Sequence, residues 1–264
     1  MRLGTQARRL LRRDLLHRVA IRWRIDVVRR FTKDAIADQQ VLFAGWPVRT
    51  VFDVGANVGL LTDAYLRAFP AARVVAFEAA PPALAALGRR FGGEDRVEVV
   101  DRAVTATDGE EVAFHVTPTL GTSSLLEPLG EQSTVVHAQT VSLDGWCAAN
   151  GVATVDVLKV DVEGAELAVL DGAASLLESG AVGLVFIEAR LVAETAGGAL
   201  LHHVAARLEG DGYLLHNLYG LVESEARGTI YGNAVFLGPR LRQHVADQAE
   251  DLGHRVFTRR LGHR

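Results

Sequence analysis

Short apolar runs alternate with amphipathic stretches from residue 50 to residue 237. Thr50–Val54, Arg73–Phe77 and Val97–Val100 are brief and rich in β-branched residues, which predicts strands. Leu60–Ala68 lies between the first two and shows helical spacing, and Pro70 stops it. Pro81-Pro82 opens a second helix, where proline is tolerated in the first turn. Glu111–Val116 and Val135–Val141 read as further strands joined by a polar loop. Val155–Val160 is apolar enough to be buried on both faces, and the helix Ala165–Leu177 follows it. Val182–Ile187 predicts a strand, Leu201–Glu209 a helix, and Tyr213–His216 and Asn233–Leu237 the closing strands. This alternation predicts an α/β fold, a mostly parallel sheet covered by helices on both faces.

The first 45 residues follow a different pattern. Leu16, Val19, Ala20, Trp23, Val27 and Phe31 recur every three or four positions among arginines, which predicts a helix over 3–31, and Asp34–Phe43 could continue it. Gly45-Trp46-Pro47 breaks the pattern. The expected organisation is a basic amphipathic helical arm over 1–45, the α/β domain over 46–240, and a helical C-terminal tail over 241–264.

Charge sharpens the division. The chain has 264 residues and a net charge of −4, yet residues 1–33 hold eleven Lys and Arg against Asp14 and Asp26. A basic arm therefore sits on an acidic body. The arm could pack on the domain, or rest on an anionic membrane surface through Trp23 and its arginines. The acidic body and the lack of interleaved aromatic and basic residues argue against nucleic acid as a partner. The single Cys147 can form no internal disulfide, no 18-residue apolar run is present, and no apolar stretch with a cleavage site opens the chain. These features read as a cytoplasmic protein, with any membrane contact peripheral and at the inner face.

Candidate chemistry begins at Val51–Gly59, VFDVGANVG. It ends a predicted strand and opens a helix, the place where open α/β sheets bind ligands. Gly55 and Gly59 permit a tight turn, and Glu78, nineteen residues after Gly59, ends the next strand where a carboxylate could receive ribose hydroxyls. The spacing is D-x-G-x-x-x-G, so the paired first glycines of the dinucleotide fingerprint are missing. S-adenosylmethionine has no phosphate and presents an amino group, so Asp53 beside the turn favours it over a nicotinamide cofactor. A turn that only tightens packing is the plainer alternative.

Residues 158–172, LKVDVEGAELAVLDG, carry a second cluster. Lys159, Asp161 and Glu163 emerge at the same sheet edge as Gly55 and Glu78. Asp161 and Glu163 are two apart and face one way in an extended segment, so they could share a proton as a base or offer oxygens to a hard cation. They could also simply complement a helix N-terminus. Glu188 ends the strand VFIEAR and is a third candidate. Ser123 and Ser124 in GTSSL could grip an acceptor or make a turn. His115, His137 and His216 are lone histidines near strands and weaker candidates for a base, and neither Cys147 nor His202-His203 has the partners of a zinc site.

Taken together, VFDVGANVG, FEAAPPALAAL, DRAV, GTSSL, LKVDVEGAELAVLDG and VFIEAR resemble the FkbM-type family of class I S-adenosylmethionine-dependent methyltransferases over roughly residues 49–238. The resemblance implies a Rossmann-like seven-stranded sheet of order 3-2-1-4-5-7-6 with its last strand antiparallel. It implies methyl transfer, typically to a hydroxyl of a sugar or polyketide-type product and in a few members to a carboxylate. It places Asp53, Gly55, Asn57 and Gly59 in the cofactor loop, Glu78 on the ribose, and Asp101, Arg102 and Ala103 near the adenine. Ala79-Ala80 departs from the usual Pro-Asn-like pair after the ribose acid. A nicotinamide oxidoreductase of similar sheet, N-methylation, and a non-catalytic binding module remain alternatives. No bound metal is expected, although Asp161 and Glu163 could take one.

Overall fold

The computed structural model describes residues 34–117, 123–126, 132–192 and 199–249. The expected helix over 3–31 and the end of the C-terminal tail lie outside these residues. The elements, in order, are α1 (Ala35–Leu42), β1 (Thr50–Val54), α2 (Leu60–Ala68), β2 (Arg73–Glu78), α3 (Pro81–Phe91), β3 (Val97–Asp101), β4 (Ala103–Val104), β5 (Glu111–Val116), β6 (Thr134–Val141) and α4 (Leu143–Asn150). They continue with β7 (Val155–Val160), α5 (Glu166–Asp171), α6 (Ala174–Glu178), β8 (Val182–Arg190), α7 (Leu201–Gly210), β9 (Leu214–Ser224) and β10 (Gly228–Leu237). Residues 239–249 are helical.

Seven strands form one sheet in the order β3-β2-β1-β7-β8-β10-β9. Numbered within the sheet this is 3-2-1-4-5-7-6, and β10 alone runs antiparallel to its neighbours. A second sheet, β4-β6-β5, projects from the end of β3. β7 is buried at every position, as its mostly apolar sequence predicts for a central parallel strand, and the burial includes Asp156 and Lys159.

Alternate strand residues feed two cores. Phe52, Phe77, Leu158, Val160, Val185 and Ile187 pack beneath α4 to α7 with Trp146, Leu170 and Leu208. Phe52, Phe77 and Trp146 meet edge to face with centroids 5.3–5.5 Å apart, each pair adding roughly 0.5–1.5 kcal/mol beyond burial. Val51, Val74, Val157, Leu184 and Val235 face the other side, under α2, α3 and residues 239–249. Leu42 and Phe43 belong to this second core. Residue 45 therefore lies in a turn and does not separate α1 from the domain. Asp156 ties that turn to the sheet by accepting from Trp46 Nε1 at 2.9 Å and from the backbone N–H of Arg49 and Thr50 at 2.6 and 3.0 Å.

The structure departs from expectation in three places. The helix expected over Ala165–Leu177 is two helices, because Asp144 intervenes. Its N–H takes the Gly172 carbonyl at 2.8 Å, and its carboxylate caps α6 through Ser175 N and Leu176 N. α4 was not expected from the sequence. It is eight residues long with Gly145 inside, and Ser142 caps it at Gly145 N. β10 is about twice and β9 nearly three times its expected length, because β10 pairs with β9 on one side and β8 on the other, which recruits polar residues that show no apolar alternation.

Candidate active site

A cleft opens along the carboxyl ends of β1, β2 and β7, where open α/β sheets bind their ligands. One end is apolar, with Ala79, Ala80, Pro82, Ala83 and Ala103 on the sheet side and Phe114, Val116 and Leu125 from the small sheet and its following loop. Glu78 lies on its wall, and Asp161 and Glu163 give it an acidic end.

Gly55 is required where it stands. Its φ is +73°, and a Cβ there would fall 1.8 Å from the Asp161 carbonyl oxygen. The N–H groups of Gly55 and Ala56 both donate to Phe77 O at 3.0 Å, and Asn57 N donates to Glu78 Oε2 at 2.7 Å. Glu78 Oε1 accepts from Ala79 N and Ala80 N, both at 2.8 Å. The turn's donors are thus spent on the protein, and Glu78 Oε2 has one acceptor direction to spare.

Several expected cofactor residues stand elsewhere. Asp53 is fully buried and does not line the cleft. Its Oδ1 lies 3.0 Å from Lys159 Nζ, and its Oδ2 accepts from Thr62 Oγ1 at 2.6 Å. Gly59 is shaped by packing, since a Cβ there would meet Phe91 Cε2 at 2.3 Å. Asp101 is exposed and off the cleft, whereas Gly55, Asn57, Glu78, Arg102 and Ala103 line it. Ser123 lines it as well. Ser124 is buried and works as a staple, donating to Glu163 O at 2.8 Å and accepting from Leu126 N at 2.9 Å.

Lys159 holds the turn together, a role not expected from its sequence position. Its side chain is 4% exposed, and Nζ donates to Gly55 O at 2.6 Å and Val54 O at 3.2 Å besides pairing with Asp53. Burial opposes its charge, but Asp53, Asp161 and Glu78 outweigh that and raise its pKa above the ordinary lysine value. Removing one partner of a buried pair typically costs about 3–5 kcal/mol. The signal was present in the sequence, as a lysine at the far end of a short, mostly apolar central strand.

Asp161, Glu163 and Glu188 each bring a carboxylate oxygen within 4.8 Å of the others. Glu163 adopts φ +55°, a conformation costly for a non-glycine residue, and is held there by Ser124 and by Arg190 at 3.1 Å from its Oε2. Glu188 is pushed up to about 8, by burial first and then by Asp161, Glu163 and Glu166, with Arg190 opposing. Burial also raises Glu166, whose carboxylate accepts from Gly164 N at 2.9 Å. The three clustered carboxylates could hold a hard cation, but Arg190 and Lys159 already offset part of their charge. His115, His137 and His216 do not line the cleft, and burial pushes the Cys147 thiol up to about 12, which leaves it inert.

The sequence profile of the FkbM methyltransferase domain matches residues 53–215, more than half of the chain and the segment that builds this cleft. The chain belongs to the FkbM methyltransferase family. It is 28% identical over 141 residues to the 2-O-methyltransferase NoeI of Sinorhizobium fredii, covering 48% of this chain and 58% of that one. It is 28% identical over 155 residues to the methyltransferase sdnD of Sordaria araneosa, covering 46% and 59%. The chain thus spans under two thirds of either relative. Among solved structures, the magnesium protoporphyrin IX methyltransferase of Synechocystis PCC 6803 aligns at 12% identity and a TM-score of 0.44, over 80% of this chain and 81% of that one. The class I fold of the FkbM chain rests on its own strand order. Among the described residues no helix is long and apolar enough to cross a membrane.

Proposed function

We propose that this FkbM-family chain is an S-adenosylmethionine-dependent O-methyltransferase acting on a hydroxyl of a sugar, glycan or polyketide-type small molecule. The observation that carries the cofactor class is the spent turn. A dinucleotide diphosphate needs backbone N–H donors at residues 55–57, and here they go to Phe77 O and Glu78. The cleft offers carboxylates instead, which suit a ligand bearing a sulfonium and an ammonium.

Alanines 79, 80, 83 and 103 with Phe114 form a slot for a flat base, and Glu78 Oε2 can accept a ribose hydroxyl. When bound, the cofactor would supply an electrophilic methyl: the acceptor oxygen would form the new C–O bond with its own electron pair, and the sulfur would keep the pair of the broken S–C bond. The protein aligns the partners, excludes water and receives the hydroxyl proton. Glu188 itself stands behind the cleft wall, so that proton passes to the lining Glu163, which Arg190 holds in place, and is shared with Glu188, whose carboxylate lies within 4.8 Å and has the raised proton affinity. Hydroxyl acceptors are favoured over amines because such a base has work to do on an alcohol. The oxygen assignment is also supported by NoeI, a 2-O-methyltransferase.

The test is transfer from methyl-labelled S-adenosylmethionine to a panel of sugars, glycans, hydroxylated polyketides and amines, with and without a chelator. Labelled methyl ether that forms equally in the chelator supports the reading. Labelled amine products, or binding of NAD in place of the labelled donor, would sink it. Loss of turnover in the chelator, restored by magnesium, would reassign the carboxylate cluster to a cation.

A further inference from the structure

A positively charged amino group entering this cleft meets a glycine turn that already holds a cation, the Lys159 ammonium. Asp53 gives one oxygen to Lys159 and the other to Thr62, and it has no exposed surface. The carbonyls of Val54 and Gly55 receive Lys159 Nζ at 3.2 and 2.6 Å. The lysine thus fills, from inside the protein, the place where the turn would otherwise hold a ligand cation.

The carboxylate beside that place is Asp161. Its backbone N–H donates to Val54 O at 3.1 Å, and its carbonyl presses so closely on Gly55 that only glycine fits. Its side chain is 36% exposed, lines the cleft, and sits 3.8 Å from Lys159 Nζ. Asp53, Lys159 and Asp161 together leave one negative charge. A second ammonium would neutralise it through a charge-assisted hydrogen bond on the cleft wall.

We propose that Lys159 displaces the cofactor's amino group from the glycine turn and that Asp161 binds it. This rests on the S-adenosylmethionine reading and divides the cluster. Asp161 belongs to the cofactor, and Glu163 and Glu188 belong to the acceptor side. Lys159 is then a positioning residue that fixes the turn and keeps Asp53 out of binding.

Calorimetry tests the division with two probes, S-adenosylhomocysteine and its deaminated analogue, which keeps the carboxylate and lacks the amino group. Wild-type protein should prefer the amino compound. Asp161→Asn should lose about tenfold or more for that compound and nothing for the analogue, so the preference collapses. Glu188→Gln should keep the preference, and thermal unfolding checks that both variants fold. Equal weakening of both probes in Asp161→Asn, an unchanged preference there, or its collapse in Glu188→Gln overturns the proposal. Wild-type protein that binds neither probe overturns the cofactor reading itself, and this proposal with it.

Discussion

Glu188 shows how a single side chain acquires a property that its sequence position does not announce. At the end of VFIEAR it reads as an ordinary acid, yet burial and the charges of Asp161, Glu163 and Glu166 carry it from 4.5 to about 8, against the pull of Arg190. Between those values the folded protein keeps a proton that the unfolded chain has released, so this group makes stability fall as pH rises through that window. Glu188→Gln removes the titration. Denaturant unfolding should therefore show the variant gaining on wild type from about pH 5 to about pH 9, whereas a constant difference would count against the raised carboxyl. In the proposed mechanism the kcat/KM of wild type, which reports the free enzyme, also rises with pH as Glu188 gives up its proton near 8. Asp161 and Glu163 could be picked out from K-x-D-x-E-G alone, but Arg190 could not, because its ion pair with Glu163 spans 27 positions of sequence.

The strand-turn-helix from Thr50 to Ala68 was legible almost to the residue, because β1 is buried on both faces and Gly55 and Gly59 mark the turn. What spacing could not separate is the work of the two glycines. Gly55 makes room for Asp161, and Gly59 makes room for Phe91 and Leu87 of α3. Gly55→Ala should abolish binding of S-adenosylhomocysteine. Gly59→Ala should cost at least about 1–2 kcal/mol of stability from its left-handed backbone and leave affinity within about twofold, as measured by unfolding and calorimetry. Similar losses of affinity in both variants would show that the turn acts as one unit. The elements least legible were α4, the break between α5 and α6, and the length of β9 and β10. Each depends on a partner distant in sequence, such as Asp108 accepting from Ser142 N at 2.6 Å ahead of α4, or β8 beside β10.

At the scale of the molecule, the cleft is closed by chain that does not belong to the main sheet. β5 and the loop after it bring Phe114, Val116, Thr117, Ser123 and Leu125 over the alanines that follow β2 and β3. Ala79-Ala80, which reads in sequence as a departure from the family's pattern, leaves the space that Phe114 occupies. Phe114→Ala should weaken S-adenosylhomocysteine binding by about tenfold, or ~1.4 kcal/mol, while Phe114→Leu keeps most of it. Unchanged calorimetric affinity in the alanine variant would show that this sheet is not a wall of the cofactor site. The sequence by itself determined the α/β class, the order of most elements, the glycine turn, Glu78 and the acidic motif. Those features are written in local apolar periodicity and in residue types that few backbones tolerate. Only the tertiary structure decided that Asp53 is sealed behind Lys159, that Gly59 serves packing, that Asp101 stands off the cleft, and that three acids from β8 and the β7 loop meet. Those outcomes depend on which strands lie side by side and how deeply each charge is buried, and neither is encoded within any one stretch of chain.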